Sequence, residues 1–579
     1  MTQVIRKHGW WYWLAGAGLL LLAVALTLVA FPVAGFWPAA LVALTPLISC
    51  ARTRNFNWRW FGLFWLAGTA FYVIGLNWLI HVTMPGWLGL SVYLGLYWAV
   101  FGWALRRLMM NLRWPAVWAA PLVWVTLEYL RSVIMTGFAW FLLGNALMPR
   151  LELVQIADLG GVWLVTGLCA AVAGCVSDVL HLPLRVKGQV NKEIFTTAAT
   201  GLALLLLAGG YGWFRLQQDS LSPGPRVAAI QHYVPQGVRD DEQPRTLGEW
   251  IQQRKDLMLH PHVQLSRDAF DLHHPQLIVW SETMVPGYIN PEFRNIPQPG
   301  DTRVDNALRE VSRYSDDLLT KIATAYHSYL LVGASSREVS PPNMDGTPGP
   351  SLRYNVAAQY APQQGLVMPL YAKRHRVPYG EYIPLANVGW IRSILAKLSP
   401  YGDYDYTIQA GTDWHRFVMT ADGHVYRYGV PICYEDVFPY VTRAFVDPQA
   451  GVKQVDFLVS ISNDGWYQSP SQFMQHLQIT QMRAVEARTG FVRAVNGGGS
   501  SLVDSCGRVL QIVDNDDDPS TPPVFGLNGI AAGNLPLDSR VSVYSQIGDL
   551  PIVGLGIMTI LAVAWTLVRP RRAGPQLED

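Results

Sequence analysis

Hydrophobic and polar positions divide the chain into an amino-terminal part of long apolar runs and a longer region of mixed pattern. Long apolar runs with few charges predict membrane-spanning helices rather than a soluble core. They lie at about 11–32, 36–51, 60–82, 87–106, 115–134, 161–182, 196–214 and 552–568. We therefore predict a bundle of about eight transmembrane helices. The alternative for the short second run is a re-entrant hairpin with the first.

Basic residues occur in every second loop between these runs. Since Lys and Arg of short loops remain in the cytoplasm, this alternation predicts an even number of spans with both termini inside. The first run lacks a convincing small-residue cleavage site, which favours a span over a signal peptide. We expect three regions: helices one to seven in 1–215, an outer domain in 216–545, and the last helix with a basic cytoplasmic tail in 546–579.

The middle region alternates short β-rich runs with amphipathic helical patterns, which is typical of a layered α/β domain. The predicted strands are 226–234, 276–282, 328–336, 353–360, 425–435, 455–464, 490–496 and 500–510. The predicted helices are about 245–273, 303–327 and 472–489.

Composition narrows the possible functions. The formal net charge of +2 gives no reason to expect nucleic-acid binding. We find no glycine-rich phosphate loop after a strand and no His/Cys cluster at metal-binding spacing, so we expect no cofactor and no metal. Two of the five cysteines, Cys433 and Cys506, lie in the outer domain, where an oxidising exterior would permit a disulfide between them.

Three chemically versatile side chains follow apolar runs of the outer domain. The run "LIVWSE" ends at Glu282, "LYAKRHRVPYGEY" contains Lys373, and "VPICYE" contains Cys433. A carboxylate can take the proton of a thiol, an ammonium can stabilise the thiolate and then an oxyanion, and the thiolate can attack an acyl carbon. These residue types predict thiol acyl-transfer chemistry if the fold brings them together. Read singly, Lys373 within "KRHR" could equally belong to a solvated basic patch.

The motifs around these residues resemble the nitrilase (carbon–nitrogen hydrolase) superfamily. Together with the apolar runs, the chain is similar to the apolipoprotein N-acyltransferase family of bacterial inner membranes. The resemblance rests on "VWSETMVPG", "YNVAAQY", "YAKRHRVPYGEYIPL", "GVPICYED" and "SNDGWY" in the outer domain, and on "GLNWL", "LEYLRSVIMTGFAWFLLGNAL", "QIADLGGVWLVTGL" and "VYSQIGD" outside or flanking it. It covers nearly the whole chain.

The resemblance implies an α-β-β-α sandwich carried by eight helices, with its active site facing the membrane. It implies that Glu282 is the base, Lys373 the partner of the thiolate and oxyanion, and Cys433 the nucleophile. It also implies supporting roles for Glu381, Asn355, Tyr434 and Glu435.

The implied reaction has two steps. Cys433 takes an acyl chain from a phospholipid, and the thioester then acylates the α-amino group of the S-diacylglyceryl cysteine of an apolipoprotein. The implied location is the bacterial inner membrane, with several spans and the catalytic domain on the periplasmic side, and we expect a monomer. The chain departs from the family pattern at Ser281, where proline is usual, at Gln546, where arginine is usual, and after Gln236, where a tryptophan is missing.

Other interpretations remain open from the residues alone. The first is a membrane-anchored amidase that uses Glu282, Lys373 and Cys433 with water as the acceptor, and the second is an inactive lipid-binding scaffold. His375 and His476 offer a Cys–His arrangement as in thiol proteases. In the fifth apolar run, Glu128 and Arg131 are either functional intramembrane charges or a simple pair that fixes the helix.

Overall fold

The structure is a computed structural model and divides into two compact units. It describes residues 9–32, 34–53, 56–186, 189–236, 246–296, 302–339, 351–383, 407–514 and 524–568. The unit we call the helical unit is drawn from Met1–Leu79, Met84–Gln218 and Ile547–Asp579. The unit we call the α/β unit is drawn from Ile80–Thr83 and Asp219–Gln546.

The helices, in chain order, are α1 (Gly9–Ala30), α2 (Thr45–Ala51), α3 (Trp58–Gly75), α4 (Met84–Asn111), α5 (Ala116–Val133), α6 (Leu151–Val154), α7 (Ala157–His181), α8 (Lys192–Leu216), α9 (Leu247–Arg254), α10 (His260–His273), α11 (Pro291–Asn295), α12 (Arg303–Ala325), α13 (Pro439–Val446), α14 (Pro470–Ala487), α15 (Val543–Ile547) and α16 (Leu550–Val568). Shorter 3₁₀ turns include Trp37–Leu41, Leu143–Leu147 and Cys433–Val437, and a π-helical turn, Lys255–Leu259, joins α9 to α10.

Six helices in the described part of the chain are long and apolar enough to cross a membrane: α1, α4, α5 with the turn after it, α7, α8 and α16. Their length and composition make this a membrane protein. The predicted count of eight spans is not confirmed. The second predicted run forms only the short helices Trp37–Leu41 and Thr45–Ala51. The third forms α3, which has 18 residues and includes the charged Arg59 in its first turn.

Two charged residues of α5 are buried in the helical unit, Glu128 at 3% and Arg131 at 2% exposure. No direct ion pair joins them, so the structure does not favour the alternative of a simple pair. Glu128 accepts hydrogen bonds from the Trp124 indole, the Leu143 backbone N–H and the Thr166 hydroxyl at 2.9–3.0 Å. Arg131 donates to backbone carbonyls of the segment after α5, those of Phe138, Trp140 and Phe141, at 2.5–3.2 Å. Both side chains therefore supply hydrogen-bond partners to the main chain of residues 138–143. Main-chain groups without such partners would be costly inside this unit.

The strands, in chain order, are β1 (Arg185–Val186), β2 (Gln189–Val190), β3 (Leu221–Ser222), β4 (Arg226–Gln231), β5 (Leu277–Val279), β6 (Tyr329–Val339), β7 (Ser351–Ala361), β8 (Gly365–Ala372), β9 (Arg416–Ala421), β10 (His424–Gly429), β11 (Phe457–Asn463), β12 (Phe491–Asn496), β13 (Ser501–Val503), β14 (Val509–Ile512), β15 (Gly529–Asn534) and β16 (Leu537–Asp538).

The α/β unit contains two six-stranded sheets, ordered β14-β13-β12-β11-β10-β9 and β15-β4-β5-β6-β7-β8. In each sheet the three central strands, β10-β11-β12 and β4-β5-β6, are parallel, and antiparallel strands flank them. All seven residues of β11 are buried, as expected for a strand covered on both faces. The layered α/β fold predicted for this region is confirmed.

A continuous apolar core joins the second sheet to the helices outside it. Ile278 and Val332 from the sheet pack with Leu319 and Ile322 of α12, and each is at most 5% exposed. Helix α12 begins at a capping box in which Thr302 and Asp305 exchange hydrogen bonds, and its apolar residues recur on one face. Helices α13 and α14 lie against the first sheet and its loops, with most residues of α14 buried. Helices on the outside and two sheets inside give the α-β-β-α sandwich.

Candidate active site

Glu282 lies just beyond β5, an apolar strand that is buried in the second sheet. Its side chain is 5% exposed. Oε1 accepts hydrogen bonds from Asn355 Nδ2 at 2.6 Å and Lys373 Nζ at 3.2 Å, and Oε2 accepts one from the Asn463 backbone N–H at 2.9 Å. Asn463 ends β11 of the other sheet. Glu282 therefore sits where the ends of the two sheets meet.

A glycine on the neighbouring strand permits this position. A Cβ at Gly333 of β6 would come within 2.5 Å of the Glu282 Cα and of the Ser281 carbonyl oxygen. Such a contact is far inside van der Waals distance, so only glycine allows the turn after β5 to lie this close.

Lys373 follows β8 and is fully buried at 0% exposure. Its ammonium is 2.7 Å from Glu381 Oε1 and 3.2 Å from Glu282 Oε1. Burial by itself lowers the pKa of Lys373, but the charges of Glu282 and Glu381 outweigh it, so the pKa lies well above its usual value of 10.5. The lysine is therefore a fixed cation held between two carboxylates and is suited to stabilising negative charge.

Cys433 begins a 3₁₀ turn after β10, and its φ of +53° is in the left-handed region. A non-glycine residue in this region is strained, and such strain is common at functional turns. The preceding residue, Ile432, bridges to Ile461 of β11 in parallel register. The Cys433 side chain is 8% exposed.

The charges of Glu282 and Lys373 shift the pKa of the Cys433 thiol. Burial is the largest cause and raises its pKa well above the usual 9.0; Glu282 raises it further and Lys373 lowers it. Burial and the Glu282 charge therefore favour the protonated thiol at rest. A base must remove its proton before it can attack, and Glu282 is the carboxylate whose charge acts on it most strongly.

The supporting residues Asn355 and Glu381 hold the carboxylate and the lysine in place. Asn355, on β7, donates to Glu282 through its side chain, and its carbonyl accepts the Lys373 backbone N–H at 2.8 Å. Glu381 binds Lys373 with one oxygen and the Val377 backbone N–H, at 2.7 Å, with the other.

Glu435 connects the turn that carries Cys433 to the segment that carries Lys373. Its carboxylate accepts the backbone N–H groups of Ile432, Arg374 and His375 at 2.7–3.0 Å, and the Tyr371 hydroxyl at 2.9–3.0 Å. Burial raises its pKa to about 7, although the backbone donors oppose the shift. One carboxylate thus binds main-chain groups next to both the nucleophile and the lysine.

Tyr434 and His375 belong to an aromatic cluster beside the turn. The Tyr434 ring packs against Phe438 at 4.9 Å, and the His375 ring stacks on Phe438 at 3.8 Å. His375 Nδ1 is 2.6 Å from the Tyr440 hydroxyl. His476 uses both ring nitrogens on carboxylates, those of Asp436 and Asp464. The arrangement therefore does not favour His476 as a base for Cys433.

Sequence reasoning missed the polar end of β11. Ser462, Asn463 and Asp464 follow the apolar residues "FLV" of that strand, as Glu282 and Cys433 follow theirs, so the same signal was present. Asn463 acts through its backbone N–H, which side-chain motifs do not reveal. Among the described residues, no group of three or more His, Cys, Asp and Glu side chains could hold a metal ion.

The departures from the family pattern have different structural settings. Ser281 is buried, and its hydroxyl has no hydrogen-bond partner among the described residues. Gln546 donates to the Ser542 carbonyl at 3.4 Å. The positions after Gln236 where a tryptophan was expected, 237–245, lie outside the described residues. No disulfide joins Cys433 to Cys506, whose sulfur instead accepts contacts from Arg488 and Arg540 at 3.8 and 3.7 Å.

Family comparisons agree with this geometry. The family model "Carbon-nitrogen hydrolase" matches residues 226–521, which is half of the chain. The chain belongs to the carbon–nitrogen hydrolase family. A second family model, "Apolipoprotein N-acyltransferase N-terminal domain", matches residues 23–175. The resemblance to apolipoprotein N-acyltransferases is therefore confirmed, because the membrane part and the α/β part both match.

Curated relatives cover nearly all of the chain. The apolipoprotein N-acyltransferase of Geobacter metallireducens is 28% identical over 93% of this chain and 94% of its own. That of Azotobacter vinelandii is 28% identical over 99% of this chain and 98% of its own. Among solved structures, an amidase from Nesterenkonia sp. is 15% identical, covers 58% of this chain and 98% of its own, and gives a TM-score of 0.32.

Proposed function

We propose that this protein is an apolipoprotein N-acyltransferase. It transfers an acyl chain from a phospholipid, through a thioester on Cys433, to the α-amino group of the S-diacylglyceryl cysteine of apolipoproteins. The observation that carries the proposal is the buried contact of Lys373 with Glu282, beside a thiol on which both charges act. The name shared by relatives that cover almost the whole chain supports the choice of acceptor.

In the first step, Glu282 takes the proton of the Cys433 thiol, and the thiolate attacks the ester carbonyl carbon of the phospholipid. The developing oxyanion is stabilised by the Lys373 ammonium and by the backbone N–H of Tyr434. The ester C–O bond then breaks, and the leaving lysophospholipid alkoxide takes the proton from Glu282. A cation already fixed between two carboxylates requires little reorganisation at this moment.

In the second step, the α-amino group of the acceptor attacks the thioester carbon. Glu282 removes a proton from the attacking nitrogen, the C–S bond breaks, and the Cys433 thiolate regains a proton from Glu282. The products are an amide and the resting enzyme. Transfer competes with hydrolysis of the thioester, and the burial of Glu282, Lys373 and Cys433, which are 0–8% exposed, limits the access of water.

The supporting residues act on the geometry of these groups. Glu381 and Asn355 fix Lys373 and Glu282 through the contacts described above. Glu435 holds the nucleophile's turn against the lysine segment, and the Tyr434 ring helps to position that turn. Tyr434 contributes to the reaction through its backbone rather than its phenol.

The alternation of basic loops supports a location in the bacterial inner membrane, which the chain crosses several times. In this topology the α/β domain (216–545) lies on the periplasmic side. The regions 1–215 and 546–579 supply the membrane helices and the cytoplasmic tail. We propose that the enzyme acts as a monomer on phospholipid donors within that bilayer.

Intact mass of the purified full chain after incubation with phospholipid vesicles tests this proposal. We expect one acyl mass on the wild type and none on Cys433→Ala. Cys506→Ala is the matched control and should acylate like the wild type, since Cys506 is the other cysteine of the α/β unit. An added S-diacylglyceryl peptide should remove the acyl group and gain the same mass.

Two outcomes would contradict the proposal. Discharge of the thioester to water alone, with the peptide unchanged, would support the amidase alternative, in which the same three residues use water as the acceptor. Absence of any adduct on the wild type would contradict a thioester route from phospholipid.

A further inference from the structure

A buried ionic cluster lies behind the nucleophile and takes no part in the reaction as proposed. Its members are Asp436, Asp464, His476 and Arg493, each at most 2% exposed. His476 Nε2 is 2.7 Å from Asp436 Oδ1, and His476 Nδ1 is 3.0 Å from Asp464 Oδ2. Arg493 donates to Asp464 Oδ2 at 3.1 Å.

The geometry fixes the charges of this cluster. A neutral imidazole donates from only one nitrogen, so a histidine between two carboxylates is best satisfied as an imidazolium. Burial alone would lower the pKa of His476, but Asp436 and Asp464 raise it to about 9. Two cations and two anions therefore balance. Asp464 stays ionised because His476 and Arg493 lower its pKa against the effect of burial.

One residue connects this cluster to Cys433. The Ser462 hydroxyl donates to Asp464 Oδ1 at 2.7 Å. Ile432 and Ile461 form a parallel bridge, in which the Ile461 N–H donates to the Pro431 carbonyl at 3.3 Å. Cys433 and Ser462 are the next residues after these two isoleucines and therefore lie side by side. Ser462 lowers the pKa of the Cys433 thiol, as expected for a hydroxyl placed beside the sulfur. It is completely buried.

A serine hydroxyl has one hydrogen and can accept others, and here two acceptors compete for that hydrogen. While Cys433 is a thiol, its S–H can donate to the Ser462 oxygen, and the Ser462 hydrogen remains on Asp464. When the thiol proton leaves for Glu282, the sulfur becomes a strong acceptor. We propose that Ser462 is a positioning residue that holds Cys433 through Asp464 at rest and turns its hydroxyl hydrogen to the sulfur as the thiolate forms.

The exchange is balanced. The thiol proton goes to Glu282, Ser462 keeps its own hydrogen and only rotates, and no further bond breaks. Asp464 loses one donor but retains those from His476 and Arg493, so no buried charge is left unpaired. This inference goes beyond the acyltransfer proposal and rests only on Cys433 being the nucleophile.

The charged groups that act on Cys433 set the direction of the test. Burial, Glu282 and Asp464 raise the pKa of the thiol, whereas Lys373 and the Ser462 hydroxyl lower it. Removing the hydroxyl should therefore raise the pH at which Cys433 ionises. Neutralising Asp464 should lower that pH, because the hydroxyl is then released to the sulfur and a negative charge is lost.

The rate of Cys433 alkylation by short pulses of iodoacetamide measures this ionisation in the full-length protein, read by mass on the peptide that contains Cys433 across about pH 7 to 12. In Ser462→Ala we expect the inflection about one pH unit higher, which is about a tenfold slower alkylation at a fixed pH below it. Ser462→Thr keeps the hydroxyl and should restore the wild-type inflection. Asp464→Asn should shift it the other way.

Ser460→Ala is the matched control. Ser460 lies two residues earlier on β11, is equally buried, and donates at 2.8 Å to the other carboxylate of the cluster, Asp436. Its loss should leave the inflection where it is. The proposal is overturned if Ser462→Ala keeps the wild-type inflection, even with a slower rate, or if Asp464→Asn raises it. Because no lipid is used, a normal titration in a protein that fails to transfer acyl groups would contradict the acyltransfer proposal alone.

Discussion

The two units both bury a carboxylate and a cation, and they use them in opposite ways. In the helical unit, Glu128 and Arg131 bind main-chain groups and neutral side chains and do not pair with each other. In the α/β unit, Lys373 binds two carboxylates directly, beside a thiol on which their charges act. Buried charges that satisfy the main chain stabilise a fold. Buried charges that face one another and an ionisable sulfur provide chemistry.

The largest expected effect is that of Lys373→Met. Thioester formation on Cys433 should fall by about 1000-fold, because the thiolate and oxyanion lose their cation. The protein should also lose about 3–5 kcal/mol of stability, because two buried carboxylates lose their partner. Intact mass and the melting temperature of the detergent-solubilised protein measure the two effects.

A double variant separates these effects of Lys373. Adding Glu381→Gln to Lys373→Met removes one of the unpaired carboxylates and should recover part of the melting temperature while thioester formation stays lost. Thioester formation within tenfold of wild type in the single variant would show that the lysine is structural, like Arg131.

Arg131→Met tests the other side of the comparison. Three carbonyls, two of them buried, lose their donor, so we expect a loss of about 3 kcal/mol in stability and a lower melting temperature. Alkylation of Cys433 per folded molecule should remain within about twofold of wild type. Arg150→Met is the control, since Arg150 is exposed and lies over the Trp37 ring at 5.0 Å; it should cost less than about 1 kcal/mol. A changed pH profile of Cys433 in Arg131→Met would contradict a purely structural role.

Glu435→Gln should have an intermediate effect. The glutamine amide would place N–H donors against the N–H and O–H donors that the carboxylate accepts, so we expect about 2 kcal/mol lower stability. Acylation of Cys433 should be about 10- to 100-fold slower, because the turn that carries the nucleophile is held less firmly. Glu338→Gln is the control: Glu338 is exposed and accepts only the Tyr354 hydroxyl among its described contacts, at 3.3 Å. Equal losses in the two variants would argue against Glu435 as a connector.

The pKa of Glu435 gives this test a pH signature. Because burial raises the pKa from 4.5 to about 7, the folded state binds the proton more tightly than the unfolded state. The resulting stability is fully present below pH 4.5 and is lost as the pH rises through about 7. The decline in melting temperature over this window should be shallower in Glu435→Gln than in the wild type.

The smallest expected effect concerns His476. Its pKa is raised from 6.5 to about 9, so its contribution to stability is complete below pH 6.5 and is lost as the pH rises through about 9. In His476→Gln the melting temperature should fall less over this window, by the equivalent of about 1–3 kcal/mol. His260→Gln, at an exposed histidine beside Asp256, should keep the wild-type slope. A slope in His476→Gln as steep as that of the wild type would contradict the imidazolium between Asp436 and Asp464.

The predicted elements of the α/β unit agree well with the structure where the pattern was strong. The run 455–464 became β11 (Phe457–Asn463), and 303–327 became α12 (Arg303–Ala325). Strands β8, β9 and the edge strand β15 were missed, and the first two show the reason. Both are edge strands, and their partly exposed residues give a weaker apolar signal than the central strands.

The sequence by itself determined which residues could carry the chemistry. Glu282, Lys373 and Cys433 each follow an apolar run, and a buried strand leaves the polar residue after it at the edge of a sheet. The sequence also determined that a membrane part exists, because its apolar runs exceed what a soluble core needs.

Only the tertiary structure decided which polar groups meet. Lys373 and Glu282 are far apart in the chain, and their contact depends on where the second sheet places the ends of β5 and β8. The Asn463 backbone N–H reaches Glu282 from the other sheet. Ser462 lies beside Cys433 because β10 and β11 are neighbours in one sheet. Conversely, Glu128 and Arg131 lie three positions apart on one helix and do not pair. Helical spacing permits such a contact, but the main chain of 138–143, which follows the end of the helix, offers each side chain hydrogen-bond partners.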